Sequence, residues 1–85
     1  MVTFEHKVKD PHGMHARPAG LLAREAQKYA SEIKVTKGEK SADMKGVFSL
    51  MSLTVKSGDI ITVTISGSDE KTAAENLSSY IRDNI

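Results

Sequence analysis

The chain has 85 residues, no cysteine, and nearly balanced charges that leave a formal net charge of +1 with neutral histidines. A chain of this length supports one hydrophobic core, so we expect a single domain over residues 1–85. The lack of cysteine excludes disulfides and thiol catalysis. The sequence has no basic block and no apolar run of ~20 residues, which argues against nucleic-acid binding and membrane insertion. We therefore predict a cytoplasmic protein, and no cofactor is expected.

The first part of the chain predicts a strand, a loop and a helix. Apolar and polar residues alternate from Val2 to Val8, which indicates a strand. His6 falls on its buried side, where we expect a partly covered histidine rather than a ligand. A loop with turn residues follows, from Asp10 to Gly13. From Ala16 to about Lys28, apolar residues recur every three or four positions, which predicts a helix facing the core, with Pro18 at its start.

The rest of the chain predicts three strands and two helices. Short strands are expected at Ser31 to Thr36 and Lys40 to Ala42, followed by a helix from Asp43 to about Leu53 with Asp43 as its N-cap. A β-branched strand around Ile61 to Ile65 is expected at the centre of the sheet. The last helix begins at two acidic residues and runs to the end. The order β-α-β-β-α-β-α predicts an α+β domain, with helices packed on one face of a mainly antiparallel sheet.

The stretch from Pro11 to Gly20 carries the groups that suggest chemistry. His15 stands directly before the predicted helix, and Arg17 follows two residues later. An imidazole, with an ordinary pKa near ~6.5, is largely a neutral nucleophile at cytosolic pH. The first amides of a helix have no intrahelical acceptor and bind anions. These groups together are suited to holding a phosphoryl group briefly.

The segment Gly13-Met14-His15-Ala16-Arg17-Pro18-Ala19, with Gly46 to Leu53 and Gly58-Asp59 downstream, resembles the HPr family of histidine-containing phosphocarriers of the bacterial phosphotransferase system. The resemblance covers essentially the whole chain in order and length. It implies an open-faced β-sandwich with a four-stranded antiparallel sheet covered on one face by three helices, which agrees with the predicted order. It also implies a carrier in sugar uptake rather than an independent enzyme.

The resemblance implies a chemical role for three residues. His15 is expected to accept the phosphoryl group at Nδ1 from the phosphoenolpyruvate-dependent phosphotransferase and to pass it to sugar-specific A components. The backbone amides of Ala16 and Arg17 would face the phosphate, with the Arg17 guanidinium as a movable counter-charge. Each contact of this kind is worth about 0.3–1 kcal/mol when exposed. These contacts are therefore weak enough for a carrier that must release its phosphate.

Partner binding is expected around His15. The short helix cannot bury all of its apolar residues, so one or two of them, with Phe48 favoured, should form an exposed apolar patch. The resemblance implies that this helix and the first helix bind the upstream and downstream proteins, with transcriptional regulators as further partners and a monomer as the working form. The expected docking residues are Met14, Gly20, Leu21, Arg24, Met44, Val47, Phe48 and Met51.

One departure from the family pattern concerns regulation. In many relatives a serine at the start of the short helix is the target of a regulatory kinase, and Asp43 stands at that predicted position. Asp43 either only caps the helix or carries a charge that partly imitates phosphoserine. Ser41 lies close by and is the alternative kinase target.

Other functional classes stay open at this point. The chain could serve a paralogous regulatory phosphorelay, in nitrogen control or dihydroxyacetone phosphorylation, or act as a binding module that carries no phosphate. Zinc binding by His12 and His15 is disfavoured, because Asp10 alone lies nearby and no cysteine or further histidine is spaced to complete a tetrahedral site.

Overall fold

The computed structural model describes residues 1–85 and contains seven elements in the predicted order. The four strands are β1 (Val2–Lys7), β2 (Glu32–Lys37), β3 (Lys40–Asp43) and β4 (Ile60–Ser66). The three helices are α1 (Ala16–Ala26), α2 (Val47–Ser52) and α3 (Glu70–Asn84). The strands form one antiparallel sheet, which confirms the predicted fold class.

The strand order in the sheet is β1-β4-β2-β3, so β4 pairs on both sides and is an interior strand as predicted. Val63 of β4 lies opposite Phe4 of β1 and Val35 of β2. Residues 61, 63 and 65 of β4 are fully buried, whereas Ile60 and Ser66 are exposed. This two-residue period directs one face of the sheet to the core and leaves the other face mainly polar, with Ile60 as an exposed apolar residue.

The core lies between the inner face of the sheet and the three helices. Full burial of a large apolar side chain contributes about 1.5–3 kcal/mol relative to an exposed one. The largest fully buried side chains are Leu22, Ile33, Met44, Leu50, Leu53, Ile61, Ile65, Leu77 and Ile81.

None of the helices is both long enough and apolar enough to cross a membrane.

The short helix begins later than predicted. Met44 is completely buried, and its N–H donates to the Ile33 carbonyl at 2.9 Å, which extends the pairing of β2 and β3. The chain therefore cannot become helical at Asp43, and the N-cap of α2 is Gly46. Asp43 instead ends β3, and its side chain accepts a hydrogen bond from the Lys45 amide at 2.9 Å. The prediction that Asp43 caps this helix is wrong. The first helix also ends earlier than predicted, at Ala26 rather than Lys28.

The predicted acidic start of the last helix has a tertiary role. Asp69 is the N-cap of α3, but its carboxylate makes no cap bond to the helix. It accepts instead from the Ser31 hydroxyl and from the backbone amides of Ser31 and Ala30, at 3.0 and 2.8 Å for the amides. These bonds, with the Ser31 hydroxyl the largest cause, hold the pKa of the Asp69 carboxyl below its ordinary value. The start of α3 is thereby joined to the connection between α1 and β2.

Candidate functional site

His15 is the N-cap of α1. Its backbone is extended, with φ −101° and ψ −172°, and its carbonyl accepts the Ala19 amide at 3.0 Å. The side chain makes no cap hydrogen bond and is 40% exposed. The imidazole is thus accessible to another protein, while the backbone of the same residue is fixed by the helix.

Two free backbone donors follow His15. The amides of Ala16 and Arg17 lie in the first turn of α1, where no intrahelical acceptor exists, and Pro18 has no amide hydrogen to lose. Both residues are exposed. The Arg17 guanidinium takes part in none of the four ion pairs of the molecule. The predicted phosphate donors therefore lie together at the helix start, without protein partners.

His15 lines a shallow depression of about 300 Å³, whose walls are Asp10, His12, His15, Arg17, Pro18, Leu21 and Asn84. The His12 ring packs edge-on against the His15 ring, with centroids 5.6 Å apart and an interplanar angle of 85°. The Asp10 Oδ2 lies 3.8 Å from His15 Nε2. No group of three or more histidine and acidic side chains is placed to hold a metal ion. The depression thus combines two imidazoles, one guanidinium and one carboxylate.

The loop before His15 is anchored by two distant parts of the chain. The amides of Lys9 and Asp10 donate to the Ile85 carbonyl at 2.7 and 2.9 Å. The Met14 amide donates to the Val55 carbonyl at 2.9 Å. Ile85 follows α3, and Val55 lies between α2 and β4. The backbone on which His15 stands is therefore positioned by two segments outside its own helix, at Val55 and at Ile85.

The turn inside this loop requires glycine at position 13. Gly13 has φ +66°, and a Cβ there would lie 2.2 Å from the Val55 carbonyl oxygen. Its amide donates to the Asp10 carbonyl at 2.9 Å, and the His12 amide donates to Asp10 Oδ1 at 2.9 Å. Gly13 and Asp10 carry turn chemistry that the sequence makes visible. Val55 and Ile85 contribute only backbone carbonyls, for which no side-chain signal exists.

The predicted docking residues divide into exposed and buried ones. Phe48 is 86% exposed, Leu21 38% and Met51 37%. We call these three, with the half-buried Val47, the apolar patch. A shallow groove between α1 and α2 adjoins it, with a volume of about 460 Å³. Its lining includes Arg17, Gly20, Leu21, Arg24 and Val47.

Two of the expected docking residues are not on the surface. Met44 is 0% exposed and Met14 only 5%. Met44 is drawn inward by the extended pairing of β2 and β3, and Met14 by its amide bond to Val55. Their assignment to a docking surface is therefore wrong, and both belong to the core.

The regulatory position also needs correction. Because α2 begins after Gly46, the residue at the start of the short helix is a glycine without a hydroxyl group. Asp43 is exposed on β3, opposite Lys34 of β2. Ser41 is exposed on the same strand, with its hydroxyl 3.2 Å from that of Thr36. A regulatory role for Asp43 or Ser41 stays a prediction, but neither stands where α2 begins.

His6 does not line the depression around His15. It is half-buried on β1, and its Nε2 is buried without a hydrogen-bond partner. Burial and the nearby positive charge of Lys9 lower the pKa of His6, and the Ile85 backbone partly opposes that shift. The prediction of a partly covered sheet histidine is confirmed.

Comparisons with known proteins agree with this fold. A family model described as the PTS HPr component phosphorylation site matches residues 2–83. The phosphocarrier protein HPr of Buchnera aphidicola is 41% identical over 75 residues, which cover 88% of each chain. The HPr-like protein Crh of Halalkalibacterium halodurans is 41% identical over 81 residues, covering 95% of this chain and 96% of the relative. A solved Mycoplasma histidine-containing phosphocarrier protein superposes with a TM-score of 0.93 at 33% identity, over 96% of this chain and 93% of that one.

Gly13→Ala is expected to destabilise the fold by about 2 kcal/mol and to shift the amide resonance of His15, since the new Cβ has no room beside the Val55 carbonyl. Urea unfolding and a proton–nitrogen correlation spectrum measure the two effects. Gly20→Ala is the matched control, because no atom lies within 4 Å of a Cβ there. It should stabilise α1 by about 0.5–1 kcal/mol. If Gly20→Ala changed the stability and the His15 resonance as much as Gly13→Ala, the close contact of Gly13 with the Val55 carbonyl would not anchor the loop.

Proposed function

The chain belongs to the HPr family of phosphocarrier proteins, and we propose that it accepts a phosphoryl group on His15 from the phosphoenolpyruvate-dependent phosphotransferase and passes it to sugar-specific transport components. One observation carries this proposal. A half-exposed imidazole stands at the N-terminus of α1 beside two open amides and an unpaired guanidinium. That set supplies a nucleophile together with donors for the charge that it would acquire.

The transfer step places the nucleophile at Nδ1 of His15. Its lone pair attacks the phosphorus, the Nδ1–P bond forms, and the bond between phosphorus and the donor breaks with its electron pair leaving on the donor. The transferred group carries close to two negative charges at neutral pH. The amides of Ala16 and Arg17 and the Arg17 guanidinium meet this charge.

The weakness of the site suits a carrier. Exposed contacts of a charge with a helix N-terminus are worth about 0.3–1 kcal/mol each. Every ~1.4 kcal/mol of additional stabilisation would reduce release to the next protein tenfold. On this proposal, the chain is a substrate of phosphotransferases and not an independent enzyme.

We assign partner docking to the apolar patch and the adjoining groove. Phe48 is a large aromatic side chain that is 86% exposed and contributes little to the core. Arg17 and Arg24 flank the groove with positive charge. Apolar centres with a charged rim are typical of interfaces between proteins. The same face serves the upstream and downstream partners in turn, which requires a monomer in the cytoplasm, where both meet it.

A second candidate is a carrier in a regulatory phosphorelay. The HPr-like protein Crh, which is similar over nearly the whole of both chains, fits this second candidate only loosely. Both functions use a phosphorylated His15, so the distinguishing measurement is transfer from the phosphorylated chain to purified sugar-specific A components. A binding module without phosphate would fail already at the first step.

Incubation of the chain with phosphoenolpyruvate and the general phosphotransferase should attach one phosphate that is labile in acid and stable in base. His15→Ala should take up none and remain folded, since the ring is 40% exposed and makes no cap bond. His12→Ala is the matched control and should still be phosphorylated. Phosphate on any residue other than His15, or none on the native chain, would contradict the proposal.

Arg17→Ala should slow phosphoryl transfer by about tenfold to hundredfold, because a charged donor to the transferred group is lost. Its unfolding free energy should change by less than ~0.5 kcal/mol, as expected for an exposed residue without partners. Arg82→Ala removes an equal charge from the exposed side of α3 and should leave the transfer rate unchanged. If Arg17→Ala loses unfolding free energy together with transfer rate, Arg17 has no specific role in phosphoryl transfer.

Phe48→Ser should raise the KM for this chain in transfer from the phosphotransferase by about tenfold, since an aromatic anchor of an interface is removed. Urea unfolding should change little, because Phe48 is 86% exposed. Met44→Ala provides the contrast: its side chain is fully buried, and we expect a loss of about 2–5 kcal/mol of stability. An unchanged KM in a folded Phe48→Ser variant would remove the apolar patch from the docking surface.

A further inference from the structure

Asp10 faces one of the two ring nitrogens of His15. Its Oδ2 lies 3.8 Å from His15 Nε2, and its side chain is only 24% exposed. This distance is within the reach of an ion pair and longer than a hydrogen bond. A shift of about 1 Å in the His15 side chain, which is 40% exposed, would close it to hydrogen-bond length.

The position of Asp10 is set by three hydrogen bonds that leave Oδ2 free for His15. Its amide donates to the Ile85 carbonyl, and its carbonyl accepts from the Gly13 amide, both at 2.9 Å. Its Oδ1 accepts from the His12 amide at 2.9 Å. The carboxylate is thus held by the loop backbone and by the end of α3. It stands at His15 as a fixed acceptor and not as a mobile surface charge.

We infer that Asp10 is a positioning residue that keeps the proton of neutral His15 on Nε2, so that the lone pair stands on Nδ1. This inference rests on the proposed phosphoryl transfer. A neutral imidazole carries one proton, and the partner of one ring nitrogen decides which tautomer is present. An ionised carboxylate accepts hydrogen bonds and cannot donate them. The nitrogen nearest to Asp10 is therefore the protonated one.

The same arrangement serves the transfer step without moving a proton. When Nδ1 attacks the phosphorus, the Nε2 proton stays in place and the ring gains positive charge, which Asp10 stabilises. When a downstream acceptor attacks, the Nδ1–P bond breaks, its electron pair returns to Nδ1, and the ring leaves as the same neutral tautomer. Asp10 touches neither the phosphate nor the reacting nitrogen.

Asp10→Asn tests the inference with a nearly isosteric change. The side-chain oxygen of the new asparagine can still accept the His12 backbone amide, as Oδ1 does in the native chain. Its NH₂ group then lies beside His15 Nε2 as a donor. The ring nitrogens of His15 are observed by nitrogen-15 NMR at about pH 8.5, two units above the ordinary histidine pKa of ~6.5. We expect mainly the Nε2–H tautomer in the native chain. In the variant, the tautomer ratio should shift about tenfold towards Nδ1–H, and the initial rate of phosphate uptake should fall by a similar factor.

Two further variants separate positioning from folding. Asp10→Ser retains an oxygen acceptor for the turn but has no second oxygen for His15, so it should fold and still lose the tautomer preference. Asp83→Asn removes an exposed carboxylate of α3 that does not line the depression, and it should change neither the tautomer nor the rate. Folding of each variant is followed by urea unfolding.

The outcomes distinguish this inference from the proposed function. An unchanged tautomer ratio in folded Asp10→Asn and Asp10→Ser overturns the role of Asp10, even where the native chain is phosphorylated normally. If the native chain takes up no phosphate, the proposed function fails, while the NMR measurement on unphosphorylated protein still decides whether Asp10 sets the tautomer. Loss of the tautomer preference together with slower uptake supports both.

Discussion

The site depends on the close approach of the loop before His15 to the Val55 carbonyl. Gly13 passes so near this oxygen that a Cβ would lie 2.2 Å from it, and the Met14 amide bonds to the same oxygen. The Ile85 carbonyl holds the other end of the loop through two amides. A histidine on an unanchored loop would sample many orientations, and the entropy of ordering it would oppose each transfer. In this protein the loop is already ordered in the folded state, so the entropy of ordering it is lost on folding and not at each transfer.

The anchored backbone contrasts with the open side chains of the site. Ala16 and Arg17 are exposed, and the depression around His15 is shallow. A deep pocket would surround the phosphate with donors and retain it, whereas a carrier in a chain of transfers needs nearly balanced affinities. Rigidity in the backbone and openness at the side chains are therefore complementary. On the proposed function, the first sets the geometry of attack, and the second leaves the transferred group accessible to a partner protein.

The short helix α2 divides its apolar residues between two tasks. Leu50 is fully buried in the core, whereas Phe48 is 86% exposed. A helix of six residues has one inward stripe, so apolar residues on its other sides stay at the surface. Buried Met44 precedes the helix and completes the core, which frees the helix to present Phe48. The part of the apolar patch that α2 contributes is thus a consequence of where this helix begins.

Local patterns were sufficient for most of the architecture. The two-residue period predicted the strands, the β-branched residues of β4 predicted its central position, and helical periodicity predicted α1 and α3, because these signals arise from neighbouring residues. The predicted start of α2 is wrong because the pairing of β2 with β3 continues to Met44 through a bond to Ile33, eleven residues earlier on the neighbouring strand. The same strand pairing buries Met44, whose predicted place on the docking surface is therefore wrong.

For the site, the sequence by itself determined the reacting groups: an imidazole before a helix, two first-turn amides and a neighbouring guanidinium all lie within three consecutive residues, 15–17. Only the tertiary structure decided how these groups are held and oriented. The anchors are the Val55 and Ile85 carbonyls, and Asp10 reaches His15 through a loop that they position. Backbone acceptors carry no residue-specific signal, since every residue has one, and their use is settled only when distant segments pack together.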